Sequence, residues 1–224
     1  AGTEPITKDV LMNAKKLKMI ARVGVGVGNI DLKAAKKMKI KISYTPNSPS
    51  NAVAEITIAL ILALTRDVIN FNDKMHKNIW NKYQTNSVEN SVVGIIGFGR
   101  IGKKVYKILK TLSPKKILIY DPLEENKKNF NLNIEFVKLH KIFQLSDIIT
   151  IHAPNNKKTN NLINSKSISK MKNTVSIINT SRGSIVNEGD IYFALKQKKI
   201  KSAALDVFIE EPYRGKLSTL NNCI

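Results

Sequence analysis

The stretch Val92-Val-Gly-Ile-Ile-Gly-Phe-Gly-Arg-Ile-Gly102 decides how the rest of the chain is read. Val92–Ile96 is a short apolar run of the kind that forms a buried strand. Gly97-Phe-Gly-Arg-Ile-Gly102 follows at once, and then Ile101, Val105, Ile108, Leu109 and Leu112 recur at the spacing of one helix face. A G-x-G-x-x-G pattern is weak alone. Here it closes a strand and opens a helix, which is the context its chemistry requires. The first glycine permits the tight turn, the second lets backbone approach a pyrophosphate, and the third lets the helix pack on the sheet. The helix N-terminus then offers free N–H groups and the positive end of its dipole to the phosphates. Asp121 ends the next apolar run, about 20 residues on, where a carboxylate accepts from the adenosine ribose hydroxyls and repels a 2′-phosphate. The pattern therefore points to NAD rather than NADP. The bland alternative is a glycine-rich turn and an Asp that starts a turn before Pro122. Arg100 lies either beside the pyrophosphate or on a solvated helix face.

Outward from this stretch, strands and helices alternate. Downstream, Lys116–Tyr120, Ile148–Ile151 and residues 175–178 and 203–207 read as strands. Leu139, Ile142 and Phe143 mark one helix between them, residues 165–171 a second, and Ile191, Ala194 and Leu195 a third. Upstream, residues 19–23 and 40–43 read as strands around a helix over 31–38. Short buried strands alternating with helices imply a parallel sheet covered on both faces, and handedness then gives a doubly wound α/β fold. Thr45-Pro-Asn-Ser-Pro49 interrupts the rhythm, and a hinge is expected there, with a smaller domain over 1–47 and the dinucleotide-binding domain over 48–224. One long helix is expected over 51–70, capped by Ser50 or Asn51. It is apolar almost all round between Ile56 and Leu64, so neighbouring elements or a partner subunit must cover most of it.

Composition narrows the function classes. The chain has 224 residues and 42% hydrophobic content, enough to bury about 70% of its unfolded surface around a core. A single cysteine, Cys223, excludes a disulfide framework and a cysteine-based metal cluster. No apolar run reaches the roughly 20 residues of a membrane span, and no signal peptide is visible, so a cytoplasmic setting is expected. The net charge of +20 raises polyanion binding as a hypothesis. Its basic residues are nearly all scattered lysines, and aromatics make up 6%, whereas nucleic-acid readers interleave arginine with aromatics on one face. Nucleic acid is therefore not the expected partner; a positive field that speeds capture of a small anion is the consequence that survives.

A second constellation comprises Asn179-Thr-Ser-Arg-Gly183 and Ala204-Leu-Asp-Val-Phe-Ile-Glu-Glu-Pro212. Each lies at the carboxyl end of an expected strand, the edge where open α/β sheets bind ligands. Arg182 offers a donor fork suited to a carboxylate. Glu211 could orient an imidazole and favour its charged form. On pattern alone these are equally a surface arginine and a helix-flanking acid.

Together with Ile151-His-Ala-Pro154, the run Arg22-Val-Gly-Val-Gly-Val-Gly-Asn-Ile-Asp31 and Thr45-Pro46…Val53-Ala-Glu55, these motifs resemble the D-isomer-specific 2-hydroxyacid dehydrogenases over nearly the whole chain. The 3-phosphoglycerate dehydrogenase-like branch, of serine biosynthesis, is the nearest in flavour, and hydroxypyruvate and glyoxylate reductases share the motifs. The resemblance implies a Rossmann-type NAD-binding domain joined to part of a smaller flavodoxin-like substrate domain. It implies NAD held by Gly97, Gly99, Arg100, Ile101, Gly102, Asp121, His152, Ala153, Pro154, Thr159, Thr180, Ser181 and Asp206. It also implies that Arg182 binds the carboxylate and carbonyl oxygen of a 2-oxo acid, with the N–H groups of Val25 and Gly26 on the carboxylate. Glu211 would pair with the acid–base histidine, and the long helix would form a homodimer interface. A non-catalytic NAD(H) sensor is the alternative on the same fold. Two departures stand out. Gly28 occupies a position where the family carries Asp. The family's acid–base histidine falls after the residues matching Leu220-Asn-Asn-Cys-Ile224, and His76, His140 and His152 do not match it, so the chain by itself is expected to be inactive and to lack segments at both ends. His76 and His140 are expected on solvated helix faces, and His152 in the cofactor cleft.

Overall fold

The computed structural model describes residues 2, 4–24, 26–45, 50–123 and 134–224. Two compact units divide the chain, Ala1–Ala52 and Val53–Ile224. In the first, α1 (Lys8–Asn13), β1 (Met19–Arg22), α2 (Leu32–Lys37) and β2 (Lys41–Tyr44) follow in order. The two strands pair in parallel with Ile20 opposite Ile42. Asp31 caps α2 by accepting from the Ala34 N–H at 2.9 Å, and Leu11, Ile20, Ile30, Ala34, Ala35 and Ile40 form the core. Helix α1, which has only one buried apolar residue, Leu11, is too short and polar for periodicity to reveal; Thr7 caps it. Of the expected hinge, Pro46, Asn47, Ser48 and Pro49 lie outside the described residues.

Helix α3 (Ser50–Arg66) opens the way to the second unit, and α4 (Val68–His76) follows it. The single helix expected over 51–70 is thus two. The break falls at Asp67, whose backbone is left-handed with φ 55° and ψ 36°. That conformation costs a non-glycine residue about 1–2 kcal/mol. Asp67 offsets it locally, its carboxylate accepting from Asn70 Nδ2 and the Tyr83 hydroxyl, each at 2.6 Å. Ser50 is also not a cap but the first helical residue. Helix α3 buries one face only: Ala54, Thr57, Ile58, Ile61, Leu64 and Thr65 are buried, while Ile56 is 40% and Leu62 36% exposed. Among the described residues, its apolar circumference is therefore covered on one side.

The rest is β3 (Val92–Ile96), α5 (Arg100–Thr111), β4 (Lys116–Tyr120), β5 (Ile134–Phe136), α6 (Leu139–Leu145), β6 (Ile148–Ile151), α7 (Ser165–Ile168), β7 (Ser176–Asn179), α8 (Glu188–Lys196) and β8 (Ser202–Leu205). All six strands are parallel, in the order β5-β4-β3-β6-β7-β8. This is the doubly wound, Rossmann-type arrangement, with the chain reversing direction across the sheet between β3 and β6. Strands β6, β7 and β8 are buried throughout, as a sheet covered on both faces demands. One core packs Leu118, Ile142, Ile149, Ile177, Ile191 and Leu195; the other packs Ile61, Ile95, Val105, Leu109, Ile119 and Ile178. Beyond β8, Ala203 pairs in parallel with Cys223. Strand β5 goes unread in the sequence because it is three residues long and carries Glu135 at its centre. Among the described residues, no helix is long and apolar enough to cross a membrane.

Candidate functional site

In a parallel sheet every strand ends on the same edge, so the loops after β3, β4, β6, β7 and β8 gather there. The loop after β3 is the glycine turn, placed at the point where the strand order reverses. Gly97 has φ +94°, and an added Cβ would come within 2.6 Å of the Ala153 nitrogen. Its own N–H donates to the Tyr120 carbonyl at 2.8 Å. Any side chain here would clash with the neighbouring strand's loop. Gly102 lies so close to the Gly97 carbonyl that a Cβ would overlap it. Gly99 differs: an added Cβ would meet nothing within 4 Å. It caps α5 with no side-chain hydrogen bond. The open space above Gly99 and the uncapped N–H groups behind it form a cradle that fits a diphosphate, by hydrogen bonding and by helix dipole. Arg100 is the first residue of α5 and exposed; Ile101 is half-buried against the core.

Asp121 follows the neighbouring strand β4 and faces back to the glycine turn. Its Oδ2 accepts from the Phe98 N–H at 2.6 Å and its Oδ1 from the Leu123 N–H at 2.9 Å. A carboxylate has about four acceptor positions, so two remain for a ribose diol.

The loop after β6 carries His152, Ala153 and Pro154. The His152 N–H donates to the Ile96 carbonyl at 2.7 Å. Its Nε2 lies 2.9 Å from Thr150 Oγ1, and its Nδ1 is buried without a partner. Burial pushes the imidazole down to about 3, so the ring is neutral at physiological pH. Ala153 is buried and Pro154 exposed. Thr159 steadies this turn, its Oγ1 donating to the Pro154 carbonyl at 2.6 Å and accepting from the Asn156 N–H at 2.8 Å.

The loop after β7 is braced by a residue to which the sequence pattern assigned no role. Asn179 is fully buried; its Nδ2 donates to the Arg182 carbonyl at 2.9 Å and its Oδ1 accepts from the Ser181 N–H at 3.1 Å. Thr180 is buried, with its hydroxyl 2.8 Å from that of Thr57 on α3. The Ser181 hydroxyl donates to the Ala153 carbonyl, tying this loop to the one after β6. The Arg182 side chain is exposed, and Nη1 donates to the Ser181 carbonyl at 2.6 Å. Gly183 abuts Phe208, and a Cβ would overlap that residue's carbonyl carbon.

The loop after β8 is held from below. The Asp206 N–H donates to the Asn179 carbonyl at 3.0 Å. Partial burial, and then the charge of Glu211, raise the Asp206 carboxyl above the ordinary value. Glu211 Oε1 accepts from the Phe208 N–H at 3.1 Å, and Glu188 Oε1, from α8, accepts from the Ile209 N–H at 2.8 Å. Phe208 stacks on Tyr213 at 4.0 Å between centroids. Glu188 and Thr57 are positioning residues that the sequence hides: the first reads as an ordinary acid in a helix's first turn, the second as a polar break in an apolar run. A site signal would have needed the sheet register.

Fifteen of the singled-out residues thus lie on loops of one sheet edge or at the start of α5. Gly26 belongs to the first unit, in the loop after β1, and Val25 lies outside the described residues. His76 and His140 are exposed on α4 and α6. Among the described residues, no cluster of His, Cys, Asp and Glu could hold a metal ion.

Three comparisons bear on this site. The family model for the NAD-binding domain of D-isomer specific 2-hydroxyacid dehydrogenases matches residues 58–224. The D-3-phosphoglycerate dehydrogenase of Methanocaldococcus jannaschii is 37% identical over 228 residues, covering 100% of this chain and 43% of that protein. The hydroxypyruvate reductase of Thermotoga maritima is also 37% identical, over 225 residues, covering 98% of this chain and 72% of that one. This chain therefore spans less than half the length of the first relative. A solved D-lactate dehydrogenase from Aquifex aeolicus, complexed with NAD and lactic acid, shares the fold at TM-score 0.86 and 29% identity, over 98% of this chain and 71% of that chain.

Proposed function

Since the chain belongs to the D-isomer-specific 2-hydroxyacid dehydrogenase family and carries its NAD-binding domain, we propose that the protein is an oxidoreductase interconverting a D-2-hydroxy acid and its 2-oxo acid. The observation that carries this reading is the shared sheet edge: the glycine cradle, Asp121, Arg182 and Glu211 all project from it. When bound, the nicotinamide supplies the hydride acceptor or donor for substrate C2. The N–H groups at the start of α5 hold the diphosphate, and Asp121 takes the ribose hydroxyls. Asp206 orients the carboxamide, and His152, Ala153, Pro154, Thr159, Thr180 and Ser181 wall the cleft. Arg182 leaves the Ser181 carbonyl to grip the substrate carboxylate and carbonyl oxygen, stabilising charge that develops on the latter. Glu211 holds the histidine that exchanges the hydroxyl proton. The neutral, buried ring of His152 is unsuited to that exchange. The assignment of Val25 and Gly26 to the carboxylate follows from the family resemblance of the run Arg22–Asp31.

Two substrate classes have support, since 3-phosphoglycerate and hydroxypyruvate enzymes are equally similar to this chain. We favour the phosphorylated acid because a surface of net charge +20 suits the more anionic substrate. The protein acts as a homodimer joined through the open apolar face of α3, in a cytoplasmic setting that suits a lone cysteine whose thiol burial pushes up to about 11. NADH oxidation by the full-length protein, with 3-phosphohydroxypyruvate, hydroxypyruvate and glyoxylate as alternatives, tests the reading. Turnover is expected with one of them, and Arg182→Ala is expected to lower kcat/KM by about 100-fold. Tight NADH binding with no turnover on any 2-oxo acid would instead support the sensor alternative.

A further inference from the structure

We propose that Asp121 is a positioning residue for the diphosphate turn in addition to its ribose role, so that one carboxylate couples the two halves of dinucleotide recognition. The proposal rests on the reading of the cleft as an NAD site. Asp121 reaches back from the end of β4 to the first residue after Gly97, where Oδ2 accepts from the Phe98 N–H at 2.6 Å. The Leu123 N–H, at 2.9 Å from Oδ1, fixes the other oxygen, so the carboxylate plane is set before any ligand arrives. A charge-assisted bond of this length is among the stronger kinds.

The turn has few other means of holding its shape. Gly97 and Gly99 contribute no side chains, and Gly99 caps α5 with no side-chain hydrogen bond. Among its anchors are the Gly97 N–H on the Tyr120 carbonyl, the Phe98 ring edge-on to Phe136 and Tyr106 at 5.5 and 5.7 Å and under the Lys103 ammonium at 5.7 Å, and the Asp121 bond. The two backbone N–H groups that open the turn, those of Gly97 and Phe98, are held by adjacent residues of β4 and its loop. Moving Asp121 therefore moves the amides that face the diphosphate, and a ligand that orders one side orders the other.

The test separates this from ribose binding. Calorimetric affinities would be measured for NADH, ADP and 2′,3′-dideoxyadenosine 5′-diphosphate on the wild type, Asp121→Asn and Asp121→Ala. The dideoxy probe has no diol, and Asn and Ala carry the same charge, so their ratio on that probe isolates the acceptor facing Phe98. Asp121→Asn is expected to bind the dideoxy probe about tenfold more tightly than Asp121→Ala. Equal affinities, with binding of NADH by the wild type intact, would overturn the coupling alone. Failure of the wild type to bind any of the three would overturn the NAD reading and the coupling with it. Amide hydrogen exchange of the unliganded wild type needs no variant: slow exchange at Phe98 relative to Gly99 is expected, and equally rapid exchange at both would remove the tie.

Discussion

Asn179 carries more of the site than its rank in the motif suggests. A fully buried amide satisfies the Ser181 N–H and adds a second donor to the Arg182 carbonyl, which also accepts from the Ile185 N–H at 3.2 Å. Asn179→Ala leaves the Ser181 N–H unpaired and the Arg182 carbonyl with the Ile185 N–H alone. We expect a loss of about 1–3 kcal/mol in urea unfolding, and a fall in kcat with a smaller change in the KM for NADH, because Arg182 loses its platform rather than its charge. His152 gives a pH signature. Its folded value of about 3 lies below the ordinary 6.5, so the unfolded chain binds a proton in that window and the folded chain does not. Stability is full above pH 6.5 and falls as pH drops towards 3, by at most about 1.4 kcal/mol per unit. Unfolding curves at a series of pH values should show this slope flattened in His152→Gln. The sequence pattern marked the residues that the proposed ligands would touch, because glycine, arginine and acids recur there at telling intervals. It did not expose Asn179, Glu188 or Thr57 as supports, because each acts across a sheet register or a helix–loop contact that no linear spacing records.

At the scale of elements, the parallel strands were legible because burial on both faces leaves uninterrupted apolar runs, as in Ile148–Ile151. Where that condition fails, legibility fails with it. Strand β5 is a short edge strand, and its Glu135 reaches out to Lys116 at 2.6 Å. The break between α3 and α4 is silent because Arg66-Asp67-Val68 contains neither Gly nor Pro, and the turn is held by side chains as distant as Tyr83. Helix α3 is fixed to the sheet chiefly by its inner face, on which Ile61 is fully buried. Ile61→Ala should cost about 2–5 kcal/mol by chemical denaturation. A loss below about 0.5 kcal/mol would mean that the inner face does not anchor the helix.

At the scale of the molecule, that open side and the surface charge make separate claims. Ile56 and Leu62 on α3, with Val68 and Ile69 on α4, leave apolar surface that a second copy would bury. Ile56→Asp combined with Leu62→Glu should convert the dimer to monomer in sedimentation equilibrium without loss of helix content by circular dichroism. A wild-type monomer would end the dimer proposal. The excess of lysine should appear in kinetics: the association rate of NADH, an anion, should fall severalfold as ionic strength rises from about 0.01 to about 0.5 M, because the Debye length shrinks from about 30 Å to a few ångströms. The contact between Gly183 and the Phe208 backbone has a consequence for engineering. With no room for even a methyl group between them, the arginine-bearing loop and the glutamate-bearing loop are mated surfaces. Transplanting one from a relative should yield a misfit, whereas exchanging the two as a matched pair should preserve the seam.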